Sequence, residues 1–237
     1  MHKTARPVTC LLPAIFAGQV AATLSKRAEF MNRTHLPGII AMAIIVVASN
    51  ILVQFLWGQW LTWGAFTYPL AFLVTDLMNR AYGAPAARKV VLAGFVTGLI
   101  CSLIGTQIIG EFGPLVTLRI AIGSGLAFFV AQMLDVAVFS ALRGGNWWRA
   151  PLASTLVGSS VDTVLFFSIA FSAQMIWLEP ANDVACVNEA LPMLGIGPVA
   201  PLWVSLAMAD WMVKLSLALL ALIPFRLIIR RFNKIPA

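Results

Sequence analysis

An all-α, polytopic membrane protein with six transmembrane helices is what this 237-residue sequence predicts, and three observations carry the prediction. Hydrophobic residues make up 60% of the chain and charged ones only 11%, against about 25% charged in soluble domains. The mean hydropathy of +0.91 means that lipid, not water, solvates most side chains. Six apolar stretches approach the ~20 residues that a bilayer crossing needs, and what remains is short connections with no room for a soluble catalytic domain.

The stretches cover 37–57, 62–79, 90–109, 116–140, 151–177 and 199–225. The second is the weakest, because Tyr68-Pro69 lies inside it. Proline removes a backbone donor and disfavours helix at the residue before it, so this helix starts after the proline or kinks there. The third carries Gly94, Gly98, Ser102 and Gly105 on one stripe, which lets another backbone approach closely. "GSGLAF" from Gly123 lies within the fourth stretch and lacks the lysine-serine ending of a phosphate loop. "GSS" from Gly158, in the fifth, has no base to complete a serine-hydrolase site.

The connections set the orientation. Lys3, Arg6, Lys26, Arg27 and Arg33 precede the first stretch, Arg80, Arg88 and Lys89 follow the second, Arg143 and Arg149 follow the fourth, and Arg226, Arg230, Arg231 and Lys234 follow the sixth. The other three connections contain no lysine or arginine. By the positive-inside rule both termini are cytoplasmic, and Glu111, Glu179, Asp183 and Glu189 face out. Trp57, Trp60, Trp63, Trp177 and Trp203 then fall at the outer interface and Trp147 and Trp148 at the inner one. The same asymmetry accounts for the net charge of +7 without a nucleic-acid partner.

Residues 1–30 stand apart. Val8 to Leu24 is apolar but short, is interrupted by Pro13 and follows Lys3 and Arg6, as in a signal-peptide core. Two readings stand, a further short span or an N-terminal extension upstream of a start at Met31. Residues 31–237 form the six-helix transmembrane domain in either case.

Enzyme chemistry is not encoded in the spans. Cys10, Cys101 and Cys186 lack metal-ligand spacing, and His2 and His35 both precede the first strong span. No metal, cofactor or catalytic residue is expected. Six ionisable residues do lie within the spans: Asp76, Arg119, Asp135, Asp162, Asp210 and Lys214. Charges in a bilayer are costly, which makes each a functional candidate or a helix-pairing device.

Asp162 and Asp210 lie roughly 15 to 17 Å from the span ends, near the middle of a ~30 Å core. Asp210 and Lys214, four apart, form either a neutral pair that packs two helices or a pair that opens for a polar solute. Asp162 has Thr155, Ser159 and Thr163 near its helix face and no neighbouring cation, which reads as the wall of a polar cavity. Asp76, with Thr75, Asn79 and Arg80, makes a helix-end salt bridge or holds a ligand. Asn50 with Gln54, and Gln132 with Asp135, are near-neighbour pairs able to hydrogen-bond another helix or a solute. Arg119 lies about 140° around its helix from Gln132, and pairs with Glu111 or gates the outer mouth.

Several runs carry a family resemblance: "ASNILV" from Ala48, "FTYPLAFLVTDLMNRAYG" from Phe66, "ARKVVLAGF" from Ala87, "WWRAPLASTLVGSSVDTVLFFSIAF" from Trp147, and "DWMVKL" from Asp210. Over residues 31 to about 232 the chain resembles the bacterial queuosine precursor transporter family, within the vitamin-uptake class. The resemblance implies a multi-pass importer of the bacterial inner membrane, with the 7-deazaguanines preQ0 and preQ1 as small-molecule substrates. A guanine-like edge presents adjacent N–H donors that one carboxylate accepts together and a planar ring that stacks on aromatics, which makes Asp76, Asp162 and Asp210 the candidate acceptors and Tyr68, Phe72 and Trp211 the candidate stacking partners. The candidate substrate-binding set is therefore Asn50, Tyr68, Asp76, Gln132, Asp162, Asp210 and Lys214. The alternative is a substrate-binding subunit for another small polar vitamin-like solute that needs a separate energising module, since no nucleotide site is encoded.

Overall fold

The computed structural model describes residues 35–110 and 113–232; the expectations for residues 1–30 and for Glu111 lie outside them. Seven helices follow in order: α1 (His35–Leu52), α2 (Gly64–Thr67), α3 (Leu70–Tyr82), α4 (Ala84–Gln107), α5 (Leu118–Leu142), α6 (Arg149–Phe171) and α7 (Leu202–Phe232). Among the described residues five of them, α1, α4, α5, α6 and α7, are long and apolar enough to cross a membrane. The distribution of burial is that of a protein dissolved in lipid. Ile44, Val164 and Ile223 are more than 60% exposed, whereas Thr75, Asn79, Gln132, Asp135 and Ser154 are fully buried.

The second apolar stretch breaks where the proline predicts. α2 and α3 are separated by Tyr68 and Pro69, both with right-handed helical dihedrals. Across the break Ala71 and Phe72 donate to Tyr68 and Pro69, three residues back, so the interruption is a change of hydrogen bonding more than of direction. α3 ends at Gly83, whose φ of +86° only glycine adopts readily and whose N–H closes onto the Asn79 carbonyl. The same glycine starts α4, with Pro85 in its first turn.

Several span ends need correction. The first helix stops at Leu52, not 57, because Leu56–Trp57 pairs with Leu61–Thr62 in a two-stranded ribbon turned at Gly58, φ +69°. The third begins at Ala84 rather than 90, since Arg88 and Lys89 belong to a helix whose end reaches polar surroundings. The fifth stops at Phe171, after which Ser172 accepts from the Gln174 N–H and a 3-10 turn runs to Leu178. The last continues through Pro224 to Phe232. Two further ribbons, Ile109–Gly110 with Gly113–Pro114 and Ala190–Pro192 with Val199–Pro201, lie in connections that carry no lysine or arginine.

The small-residue stripe of α4 does pack. A Cβ on Gly94 would stand 2.7 Å from Met42 and 2.8 Å from Phe128, and one on Gly105 would meet Val116 at 2.5 Å. α5 and α6 form the most extensive helix pair. At the basic end, α3 and α5 tie their C-termini reciprocally: Arg80 donates to the Arg143 carbonyl at 2.9 Å and Arg143 to the Arg80 carbonyl at 2.6 Å. Of the two readings for Asp76, the salt bridge with Arg80 does not form, because satisfying orphaned helix-end carbonyls turns Arg80 away from its own helix.

Candidate functional site

A cavity of about 370 Å³ lies between α1, α2, α4, α5, α6 and α7 beneath the Leu56–Thr62 ribbon. It is within the usual size range of small-molecule sites, and most of its lining is apolar. Trp60, Phe166, Phe167 and Phe171 supply aromatic surface, and Ser49, Asn50 and Gln54 supply polar groups from the end of α1 and just beyond it. Its ionic wall is made by Tyr68, Asp162, Asp210 and Lys214.

Lys214 is the centre of that wall. Its ammonium donates to Asp162 Oδ2 at 2.7 Å, pairs with Asp210 Oδ2 at 2.6 Å and reaches Thr163 Oγ1 at 3.0 Å, which uses all three of its protons. The Tyr68 hydroxyl donates to the other Asp162 oxygen at 2.8 Å, and Thr163 donates to Asp210 at 3.1 Å. The ammonium also lies 5.3 Å from the Tyr68 ring centroid. Two carboxylates and one ammonium leave a formal charge of −1. Asp210 is the most accessible of the three, with 14% of its side chain exposed against 5% for Asp162 and 3% for Lys214.

The four residues meet because two local patterns are aligned. Asp210 and Lys214 share a face of α7 by i, i+4 spacing, and Asp162 and Thr163 present the opposing edge of α6. The break at Tyr68-Pro69 puts the tyrosine at the start of α3, where its hydroxyl reaches α6. The i, i+4 pair was legible in sequence; the capture of Lys214 by Asp162, 52 positions away, was not.

Asn50, Tyr68, Asp162, Asp210 and Lys214 thus line one cavity, while Asp76 and Gln132 do not. Asp76 is buried between α3 and α6, accepting from Ser154 at 3.1 Å and Thr155 at 3.3 Å, beside Asp135 of α5. Gln132 accepts from Thr75 at 2.7 Å. Of the expected stacking residues, Phe72 is buried below the cavity and Trp211 donates to Ser160 at 3.0 Å; only Tyr68 is on the lining. The aromatic lining comes from Trp60, legible in sequence only as an interfacial ring, and from Phe166, Phe167 and Phe171, which no sequence pattern singled out. Arg119 donates to the carbonyls of Ile169 at 3.2 Å and Ser172 at 2.5 Å, so it caps the C-terminus of α6 rather than entering the cavity.

A family described as "Putative vitamin uptake transporter" matches residues 62–229, which contain both carboxylate clusters. The "Queuosine precursor transporter" of Escherichia coli (strain K12) is 35% identical over 196 residues, covering 76% of this chain and 79% of that protein. A "Probable queuosine precursor transporter" of Haemophilus influenzae is 34% identical over 69% of this chain and 66% of its own length. One of Bacillus subtilis (strain 168) is 30% identical over 70% and 71%. No solved structure matches significantly. These relatives are transporters, not enzymes, and the apolar helices are those of a multi-pass protein. The chain belongs to the queuosine precursor transporter family of the vitamin uptake class, and is a multi-pass transporter of the bacterial inner membrane.

Proposed function

We propose that this protein imports the 7-deazaguanine precursors of queuosine, preQ0 and preQ1, and that the cavity bearing Asp162, Asp210 and Lys214 is where they bind. The observation that carries this reading is a buried, net-negative cluster on the wall of an open cavity. The guanine-like edge offers adjacent N–H donors, which one carboxylate accepts together. Asp210, the more accessible carboxylate, takes that edge, while Lys214 stays with Asp162 and Tyr68 holds the second Asp162 oxygen. Trp60 or Phe166 covers the planar ring by stacking. The remaining negative charge suits the aminomethyl cation of preQ1.

In this reading α2 and α3 together make a sixth crossing, about 28 Å from Gly64 to Tyr82, and both termini are cytoplasmic. The cavity then opens outward, and the packed layer below it closes the route to the cytoplasm.

The test is queuosine in tRNA of bacteria that cannot make preQ0, lack their own importer and express this chain while fed low preQ0 or preQ1. Restoration by wild type, with loss in equally abundant Asp210→Asn and Asp162→Asn proteins, supports the assignment. No restoration with the protein present in the membrane overturns it, in favour of another solute or an energising partner.

A further inference from the structure

Below the cavity floor lies a second pair of acids with no cation. Asp76 of α3 and Asp135 of α5 are buried side by side, and neither makes an ion pair among the described residues. Their surroundings are not symmetrical. Ser154 stands beside both carboxyls but has one proton, for which Asp76 Oδ1 at 3.1 Å is the nearer acceptor and the Pro151 carbonyl at 3.3 Å the farther, and Thr155 donates to the second Asp76 oxygen. Both oxygens of Asp135 are fully buried without a hydrogen-bond donor.

The groups facing the pair from each packed helix are accounted for. α3 brings Thr75, engaged with Gln132, and Arg80, engaged with the Arg143 carbonyl. α5 brings Gln132, whose Oε1 accepts from Thr75 while its buried Nε2 has no partner, and α6 brings Ser154 and Thr155. α7 presents Ala218, Leu222 and Phe225, with Lys214 above them held by Asp162 and Asp210. α4 contributes Ala87, Val90 and Val91 to the apolar core alongside.

Two ionised carboxylates side by side in apolar surroundings repel and lack compensation. A single proton removes both difficulties at once. Placed on Asp135, it neutralises the acid that has no donor and gives that acid an O–H to donate to Asp76, whose anion then accepts three hydrogen bonds. A cation such as sodium fits less well, since the Ser154 and Thr155 hydroxyls serve Asp76 as donors, and no group of three His, Cys, Asp or Glu side chains occurs among the described residues.

We propose that Asp76 and Asp135 form a proton site, separate from the substrate cavity, through which uptake is coupled to proton entry. Thr155 and Asp162 are seven residues apart on α6, which places the site roughly 10 Å below the Lys214 cluster. Phe72 separates the two levels: it fills a notch at Gly158, where a Cβ would stand 2.8 Å from its ring. A void of about 10 Å³ touching Asp76, Phe72 and Thr155 is just large enough for one water to relay the proton. On loading, hydronium gives its proton to a carboxylate oxygen and leaves as water; on release the O–H bond breaks and water on the other side takes the proton.

The coupling rests on the transport reading, so its test has two arms. Infrared difference spectra of the purified full-length protein, in H2O and D2O, report protonated carboxyl groups without any substrate. Wild type is expected to show a protonated carboxyl C=O band at neutral pH that survives Asp162→Asn, disappears in Asp135→Asn and shifts in frequency in Asp76→Asn. A wild type without the band, or a band that persists unchanged in both variants, overturns the proton site whatever the substrate.

In proteoliposomes, labelled preQ1 exchange is compared with accumulation under an acid-outside gradient. For one proton per substrate, a gradient of about one pH unit supports about tenfold accumulation of a substrate whose charge is otherwise balanced. Asp135→Asn is expected to lose that accumulation relative to its own exchange rate. Accumulation driven by a sodium gradient alone, or unaffected by pH, overturns the coupling. Absence of wild-type exchange overturns the substrate reading, and the infrared arm still decides the proton site.

Discussion

The Lys214 cluster and the Asp76–Asp135 pair lie at two levels of α6, and each groups two carboxyls beside that helix's hydroxyl face. Thr163 serves the upper level and Thr155 the lower one. The upper level has a lysine, an open cavity and a tyrosine; the lower has a second acid, tight packing and room for one water. A fixed ammonium between the two upper carboxyls leaves one formal negative charge on the wall of the cavity, available to an incoming donor. Neutralisation by a shared proton leaves the lower pair able to change charge while staying dry.

Removal of the lysine is the strongest way to break this comparison. Lys214→Met leaves Asp162 and Asp210 buried without a cation, and breaking a buried pair costs about 3–5 kcal/mol. Thermal unfolding in detergent and membrane abundance should both fall, with partial recovery in Lys214→Met/Asp162→Asn. In contrast, Asp135→Asn should cost less than ~1 kcal/mol, because the amide keeps the size and the donor of the protonated acid. Equal losses in the two variants would mean that Asp135 is ionised and that the two levels do not differ.

Tyr68→Phe is next. It removes a donor to a carboxylate, worth about 1.5–3 kcal/mol, and should also weaken uptake because the freed Asp162 oxygen faces the cavity. The measurement is a melting curve beside an uptake KM; unchanged values of both would show that the hydroxyl does not hold Asp162. Gly158→Ala tests the separation between the levels. Its Cβ would meet Phe72 at 2.8 Å and the Ala131 carbonyl at 3.2 Å, an overpacking of about 1–3 kcal/mol that Phe72→Leu should relieve. If the double variant is no more stable than Gly158→Ala alone, the notch is not what seats Phe72. The smallest effect is expected for Thr155→Val, which loses one long hydrogen bond to Asp76, about 0.5–1.5 kcal/mol by melting, and should leave cavity binding of preQ1 intact.

Much of the upper level was legible in the sequence. The i, i+4 spacing of Asp210 and Lys214 and the break at Tyr68-Pro69 are local properties, and the structure retains both of them. The hydroxyl stripe on α6 was legible as a stripe, but not as one that divides between two sites. Asp76 read locally as a partner for Arg80, and Asp135 as a neighbour of Gln132. Their meeting joins α3 to α5 across 59 residues, and depends on how far each helix is rotated about its axis. No periodicity within either helix encodes that rotation. The aromatic lining was missed for the same reason, since Phe166, Phe167 and Phe171 are three among fifteen phenylalanines until the chain turns some of them toward a space.

By itself the sequence determined the solvent, the apolar stretches and the alternation of basic and non-basic connections, because hydropathy and charge are summed over neighbours in the chain. Tertiary structure alone decided which buried charge meets which. Ionic contacts act over a few ångströms, and only the packing of α3, α5, α6 and α7, set at points such as Gly158, brings residues so far apart in sequence within that distance.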